Sequence, residues 1–150
     1  MVARKSLKGD YCPSARSLDV IGDWWSLLIV RDAFDGLTRF GEFQKSLGIA
    51  KNILTERLRS LVASGILELA PASEGGARME YRLTAMGKDL FPVMVALRQF
   101  GERHLFAPAE DHSLLVDRAS GQPVQLEIRA QDGRRIGPDE ALILKVPEEK

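Results

Sequence analysis

IAKNILTERLRSLVASG, residues 49–65, is the stretch that decides the fold. Ile49, Ile53, Leu54, Leu58, Leu61 and Val62 recur at steps of three and four residues and form one apolar stripe. That spacing predicts an amphipathic helix over residues 49–64, with Gly65 supplying a left-handed stop. The opposite face presents Lys51, Asn52, Thr55, Glu56 and Arg59.

The neighbours on both sides give this helix its context. Upstream, residues 41–47 read as a short helix closed by Gly48, and Thr38-Arg39-Phe40 as a brief extended piece. Before them, Asp23 is placed to cap a nearly all-apolar helix over residues 24–33, stopped at Asp35-Gly36. Pro13 suits the first turn of a helix that Gly22 ends. Downstream, residues 66–69 and 79–83 read as two strands joined by the polar tip 71–76. Thr84 is placed to cap a long final helix ending near Leu105. Two short helices, a glycine turn, an amphipathic helix and a β-hairpin form the order of a winged helix-turn-helix. Beyond Pro108, residues 114–117, 124–128 and 142–146 are short strand-like runs with turn signals at Ser120-Gly121 and Asp132-Gly133. The expected class is therefore α+β, a winged helix-turn-helix with a long C-terminal helix and a small C-terminal β extension. Its divisions are a flexible N-terminal arm (1–11), the winged domain (12–106) and a small β-rich extension (107–150).

Such a helix can fill a DNA major groove with its first polar residues at the base edges. Asn52 suits adenine, Lys51 suits guanine or phosphate, and Thr55 a thymine methyl or a phosphate. Glu56 shares that face, and Arg59, a turn further on, suits a backbone phosphate. Lys45 and Arg57 add positive charge for phosphates. Gly75 and Gly76 let the hairpin tip approach a backbone closely, where Arg78 is placed to enter a minor groove or grip a phosphate. Charge distribution agrees with this division of labour. Residues 1–106 carry 15 Lys and Arg against 12 Asp and Glu, and residues 107–150 carry 6 against 9, within a formal net charge of +0. The neutral total also admits a rival: a winged-helix module that binds protein through the same helix and does not bind DNA.

The chain also resembles the HxlR-type regulators. The resemblance rests on Cys12-Pro13, Leu18-Asp19-Val20-Ile21-Gly22-Asp23 and Trp25-Ser26-Leu27-Leu28-Ile29. It continues through Arg39-Phe40, Gly48-Ile49, Leu54, Leu58 and Gly65-Ile66-Leu67 to Glu80-Tyr81-Arg82-Leu83-Thr84, Gly87 and Leu90. It implies a homodimeric DNA-binding transcriptional regulator, repressor or activator, whose terminal helices form the dimer seam with one recognition helix per half-site of double-stranded DNA. It also implies Cys12 as a candidate sensor of oxidants or electrophiles, the alternative being a small buried residue packing the first helix, and it leaves room for a small-molecule effector. The sequence departs from the family at Trp24, commonly basic there, and at Ala50, which cannot cap a helix. It departs again in the wing, at Glu68-Leu69-Ala70 and Ser73-Glu74-Gly75-Gly76, and at Phe100. Of the two adjacent tryptophans, Trp25 is expected in the core and Trp24 toward a partner subunit or the terminal helix.

Other chemistries find little support. His104 and His112 are the only histidines, and no paired metal-ligand spacing accompanies them. Neither a phosphate-cradling loop nor a nucleophile with an adjacent base is present, so no cofactor and no enzymatic activity are expected. Asp32 and Asp35 read as carboxylates at a helix end, explained by solvation and capping. A single cysteine, a charged N-terminal stretch and short apolar runs suit a cytoplasmic protein without a membrane segment.

Overall fold

The computed structural model describes residues 5–147; residues 1–4 of the expected arm and 148–150 of the expected extension lie outside the described residues. The chain forms two compact units, one running to Phe91 and one beginning at Pro92.

The first unit opens with α1 (Pro13–Ile21), started by the proline at its first position. The preceding segment is tied back to this helix, since the Leu7 amide donates to the Asp19 carboxylate at 2.9 Å. In α2 (Trp24–Phe34) Asp23 is the cap, accepting from the Ser26 amide at 2.9 Å. α3 (Phe40–Leu47) ends at Gly48, whose φ of 60° is left-handed and reverses the chain into α4 (Lys51–Ala63). Gly65, with φ of 81°, turns the chain again into β1 (Leu67–Pro71), which pairs antiparallel with β2 (Met79–Leu83). The core sits where these elements meet: Ile29, Val30, Phe43, Leu54, Leu58, Leu61 and Leu67 are fully buried. The Thr38 carbonyl accepts from the Tyr81 amide at 2.7 Å, so the extended piece before α3 fastens the hairpin to the helix pair.

Thr84 caps as expected, accepting from the Gly87 amide at 3.0 Å while its hydroxyl donates to the Gly65 carbonyl. The helix it caps, however, is α5 (Ala85–Lys88), and a separate α6 spans Phe91–His104. Pro92 has no amide hydrogen for a continuing helical bond, so one long helix gives way to two. Gly87 lies so close to β1 that a Cβ there would sit 2.2 Å from the Ile66 carbonyl oxygen.

Past α6 the second unit departs from expectation. Residues 114–117, 124–128 and 142–146 form no continuous ladder; single bridges join Val116 to Pro123 and Arg129 to Arg135, and a 3-10 turn covers Pro138–Glu140. Pro123 lacks the donor that would extend the first bridge into a sheet. Side chains hold this unit instead: Arg98 donates to the Ser113 carbonyl at 2.8 Å, and the Gln99 amide donates to the Val124 carbonyl at 2.9 Å. At its first turn, the Ser120 side chain and amide hold the Asp117 carboxyl below its ordinary range.

Two residues differ from their sequence expectations in burial. Asp32 is buried, not solvated: Arg31 pairs with one carboxylate oxygen at 2.8 Å, and the other has no hydrogen-bond partner among the described residues. Trp25 is half-buried, packed edge to face on Trp24 at 5.6 Å, and Trp24 is 70% exposed.

Candidate nucleic-acid interface

The apolar stripe of α4 decides which side chains are left to act. Leu54, Leu58 and Leu61 are buried, and the helical period then turns Lys51, Asn52, Thr55, Glu56 and Arg59 outward, where all five are exposed. Among the described residues, the side chains of Lys51, Asn52, Glu56 and Arg59 make no hydrogen bond or ion pair, so their polar ends remain available to a ligand. Thr55 differs, because its hydroxyl donates to the Lys51 carbonyl at 2.8 Å and leaves chiefly the methyl group facing outward. Lys45, in the last turn of α3, is exposed on the other side of the Gly48 turn.

Arg57 does not join this face. It lies on the far side of the α4 cylinder, half-buried, with its Nε 3.3 Å from the carboxylate of Asp23. That carboxylate also caps α2, so Arg57 joins α4 to the start of α2. The phosphate contact expected for Arg57 is therefore replaced by a structural one. Arg57→Ala is expected to lower unfolding free energy by about 1 kcal/mol in urea titration, as a partly exposed ion pair does, and to leave DNA affinity within twofold.

The N-terminus of α4 lacks a side-chain cap. Ala50 occupies the cap position with extended backbone (φ −63°, ψ 139°) and no side-chain bond to the first-turn amides. Ala50→Ser supplies that acceptor. The expected result is a gain of about 0.5–1 kcal/mol in stability, read from the urea midpoint.

The wing lies at the end of the hairpin. Gly75 and Gly76 have φ of 81° and 101°, and the loop is closed where the Ala72 amide donates to the Arg78 carbonyl at 2.9 Å. Arg78 is exposed and its guanidinium has no partner among the described residues. By contrast Arg82, in the strand, is occupied by Glu80 at 3.1 Å and the Pro71 carbonyl at 3.0 Å. Of the residues singled out in the sequence, Lys51, Asn52, Glu56, Arg59 and Arg78 are exposed and unpartnered among the described residues, whereas Arg57 is paired with Asp23. Behind the hairpin a cavity of about 330 Å³ is lined by Ala33, Leu37, Thr38, Tyr81, Arg82 and Lys88, among others.

Cys12 is exposed, in the cap position of α1, with its amide donating to Asp10 at 2.8 Å. Among the described residues of the single chain no other element covers it. Among the described residues no cluster of candidate metal ligands occurs, and no helix is long and apolar enough to cross a membrane.

Comparison with known proteins agrees with this geometry. The model of the HxlR-like helix-turn-helix family matches residues 20–108. An uncharacterized HTH-type transcriptional regulator of Mycobacterium tuberculosis, Rv3095, is 45% identical over 93 residues, which is 62% of this chain and 59% of that protein. The chain therefore spans less than two thirds of that relative's length. The crystal structure of PA1607, described as a candidate transcription factor, superposes with a TM-score of 0.88 at 57% identity, over 92% of this chain and 97% of that one. The redox regulator HypR in its reduced form gives a TM-score of 0.57 at 33% identity, over 63% of this chain and 94% of that one.

Proposed function

The chain belongs to the HxlR-like helix-turn-helix family of transcriptional regulators, and from that premise we propose that it binds operator DNA sequence-specifically as a homodimer. The observation that carries this reading is the unpartnered row Lys51, Asn52 and Arg59 on α4, facing away from a fully buried Leu54–Leu58–Leu61 stripe. In this reading α4 lies in the major groove. Asn52 and Lys51 read base edges, the Thr55 methyl meets a thymine, Glu56 faces the neighbouring cytosine edge or solvent, and Lys45, Arg59 and Arg78 hold phosphates. Homodimer formation is supported by α6, whose Val93, Leu97 and Phe100 form one exposed apolar face. Selection from a random duplex library tests the proposal. It should enrich a pseudo-palindrome whose half-sites are about one helical turn, roughly 10 base pairs, apart. An enriched pool without any shared motif would count against sequence-specific reading.

Redox or electrophile response through Cys12 is the finer part of the proposal, supported by its exposure and by the likeness to a redox regulator. The native protein is expected to react with an aromatic disulfide reagent at one thiol per chain. Diamide, taking the hydrogens of two thiols and being reduced to its hydrazine, should then join Cys12 of two chains in an intermolecular disulfide and weaken operator binding, an effect that Cys12→Ser removes while basal binding is retained. Binding that diamide leaves unchanged in the unsubstituted protein would remove the sensor from the account.

A further inference from the structure

The cavity of about 330 Å³ behind the hairpin is lined by residues of the first unit, and its walls hold polar groups that the chain leaves unused. Three charged side chains line it: Glu68 on β1, Arg82 on β2 and Lys88 at the end of α5. Arg82 is already committed to Glu80 at 3.1 Å and to the Pro71 carbonyl at 3.0 Å. The Glu68 carboxylate and the Lys88 ammonium have no hydrogen bond or ion pair among the described residues, and neither do the hydroxyls of Thr38 and Tyr81. Ala33, Leu37 and Leu83 supply apolar surface beside them.

The backbone adds an independent element. The Thr84 amide donates to the Ile66 carbonyl at 3.1 Å and the Ala72 amide to the Arg78 carbonyl at 2.9 Å, so the even-numbered residues of β2 turn their backbone groups toward β1. Antiparallel ladders alternate, and Tyr81 and Leu83 therefore direct theirs to the other edge. There the Tyr81 amide meets the Thr38 carbonyl, whereas the Leu83 amide and carbonyl meet nothing among the described residues. Thr38 and Leu83 both line the cavity, which thus runs along an open stretch of strand edge.

A ligand that fills this space without answering its polar groups strips them of water at a cost, so the lining selects the ligand. A simple anion suits Lys88 but faces Glu68, and a simple cation does the reverse. A purely apolar molecule strands both charges and the Leu83 amide. A molecule carrying both charges beside an apolar body satisfies the whole set. The volume lies near the lower end of the roughly 300–1,000 Å³ of small-molecule sites, which keeps that molecule small. We propose that the cavity binds a small zwitterion of the amino-acid class, with its carboxylate at Lys88, its ammonium at Glu68 and its side chain against Ala33, Leu37 and the Tyr81 ring. None of these residues belongs to the outward row of α4, and the proposal stands or falls independently of the operator reading.

Two-dimensional amide NMR of the full, isotope-labelled chain tests it. The probes are L-phenylalanine and glycyl-L-phenylalanine, with N-acetyl-L-phenylalanine lacking the ammonium and L-phenylalaninamide lacking the carboxylate. At least one of the two zwitterions should move the Leu83 amide resonance saturably, with a Kd of about 1 mM or tighter, and each capped form should bind roughly tenfold more weakly. Glu68→Gln should abolish the penalty for the acetylated form, and Lys88→Met the penalty for the amide. Both side chains are exposed and unpartnered among the described residues, so the variants should keep the native spectrum away from the cavity. No saturable shift at Leu83 with either zwitterion, capped forms that bind equally well, or penalties that survive the substitutions would overturn the proposal.

Discussion

Phe43→Ala is expected to lower the unfolding free energy by about 3–5 kcal/mol, measured by urea denaturation followed by far-UV circular dichroism. Phe43 is completely buried, and it is the only residue of α3 to be so. Truncating it leaves a cavity that the short helix cannot fill, because α3 is held at one end by the Gly48 turn and at the other by the segment pinned to Tyr81. A domain of this size has a total stability of about 5–15 kcal/mol, so such a loss is a large share of it. α3 also supports the start of α4, and DNA binding near the unfolding midpoint should fall with the folded fraction. A loss under 1 kcal/mol would mean that α3 does not brace α4.

The second large effect concerns recognition itself. Asn52→Ala should weaken binding to the preferred site by about 1–3 kcal/mol, roughly 5- to 150-fold, and leave nonspecific binding nearly unchanged. An asparagine amide both donates to and accepts from an adenine edge, and alanine does neither. Arg59→Ala should behave differently: affinity falls on every duplex alike, and the salt dependence loses about one counterion. Both side chains are exposed and unpartnered, so neither change should alter stability. Equal losses for Asn52→Ala on preferred and scrambled DNA would assign the reading role to another residue.

Much of this arrangement was legible in the sequence because its signals are local. The three- and four-residue spacing of Ile49, Leu54, Leu58 and Leu61 gives α4, and Gly48, Gly65, Asp23 and Thr84 act at the ends where their chemistry places them. The features that escaped are set by partners distant in the chain. Arg57 looks like its neighbours on α4 until Asp23 is brought beside it. Asp32 looks solvated until α2 packs against its neighbours. Pro92 is the exception, a local breaker that the continuing apolar pattern of the helix masked. Residues 142–146 have the composition of a strand, but composition does not supply the neighbouring strand that a ladder needs.

If α4 reads DNA as proposed, fluorescence anisotropy will detect it. The protein is titrated against a labelled duplex from upstream of its own coding sequence and against a scrambled duplex, at two salt concentrations. The expected result is tighter binding to the upstream duplex and an affinity that falls steeply as salt rises, because several phosphate contacts release counterions. A folded protein that binds neither duplex at low salt, or binds with an affinity that salt does not change, would contradict it and favour a winged helix that docks on protein.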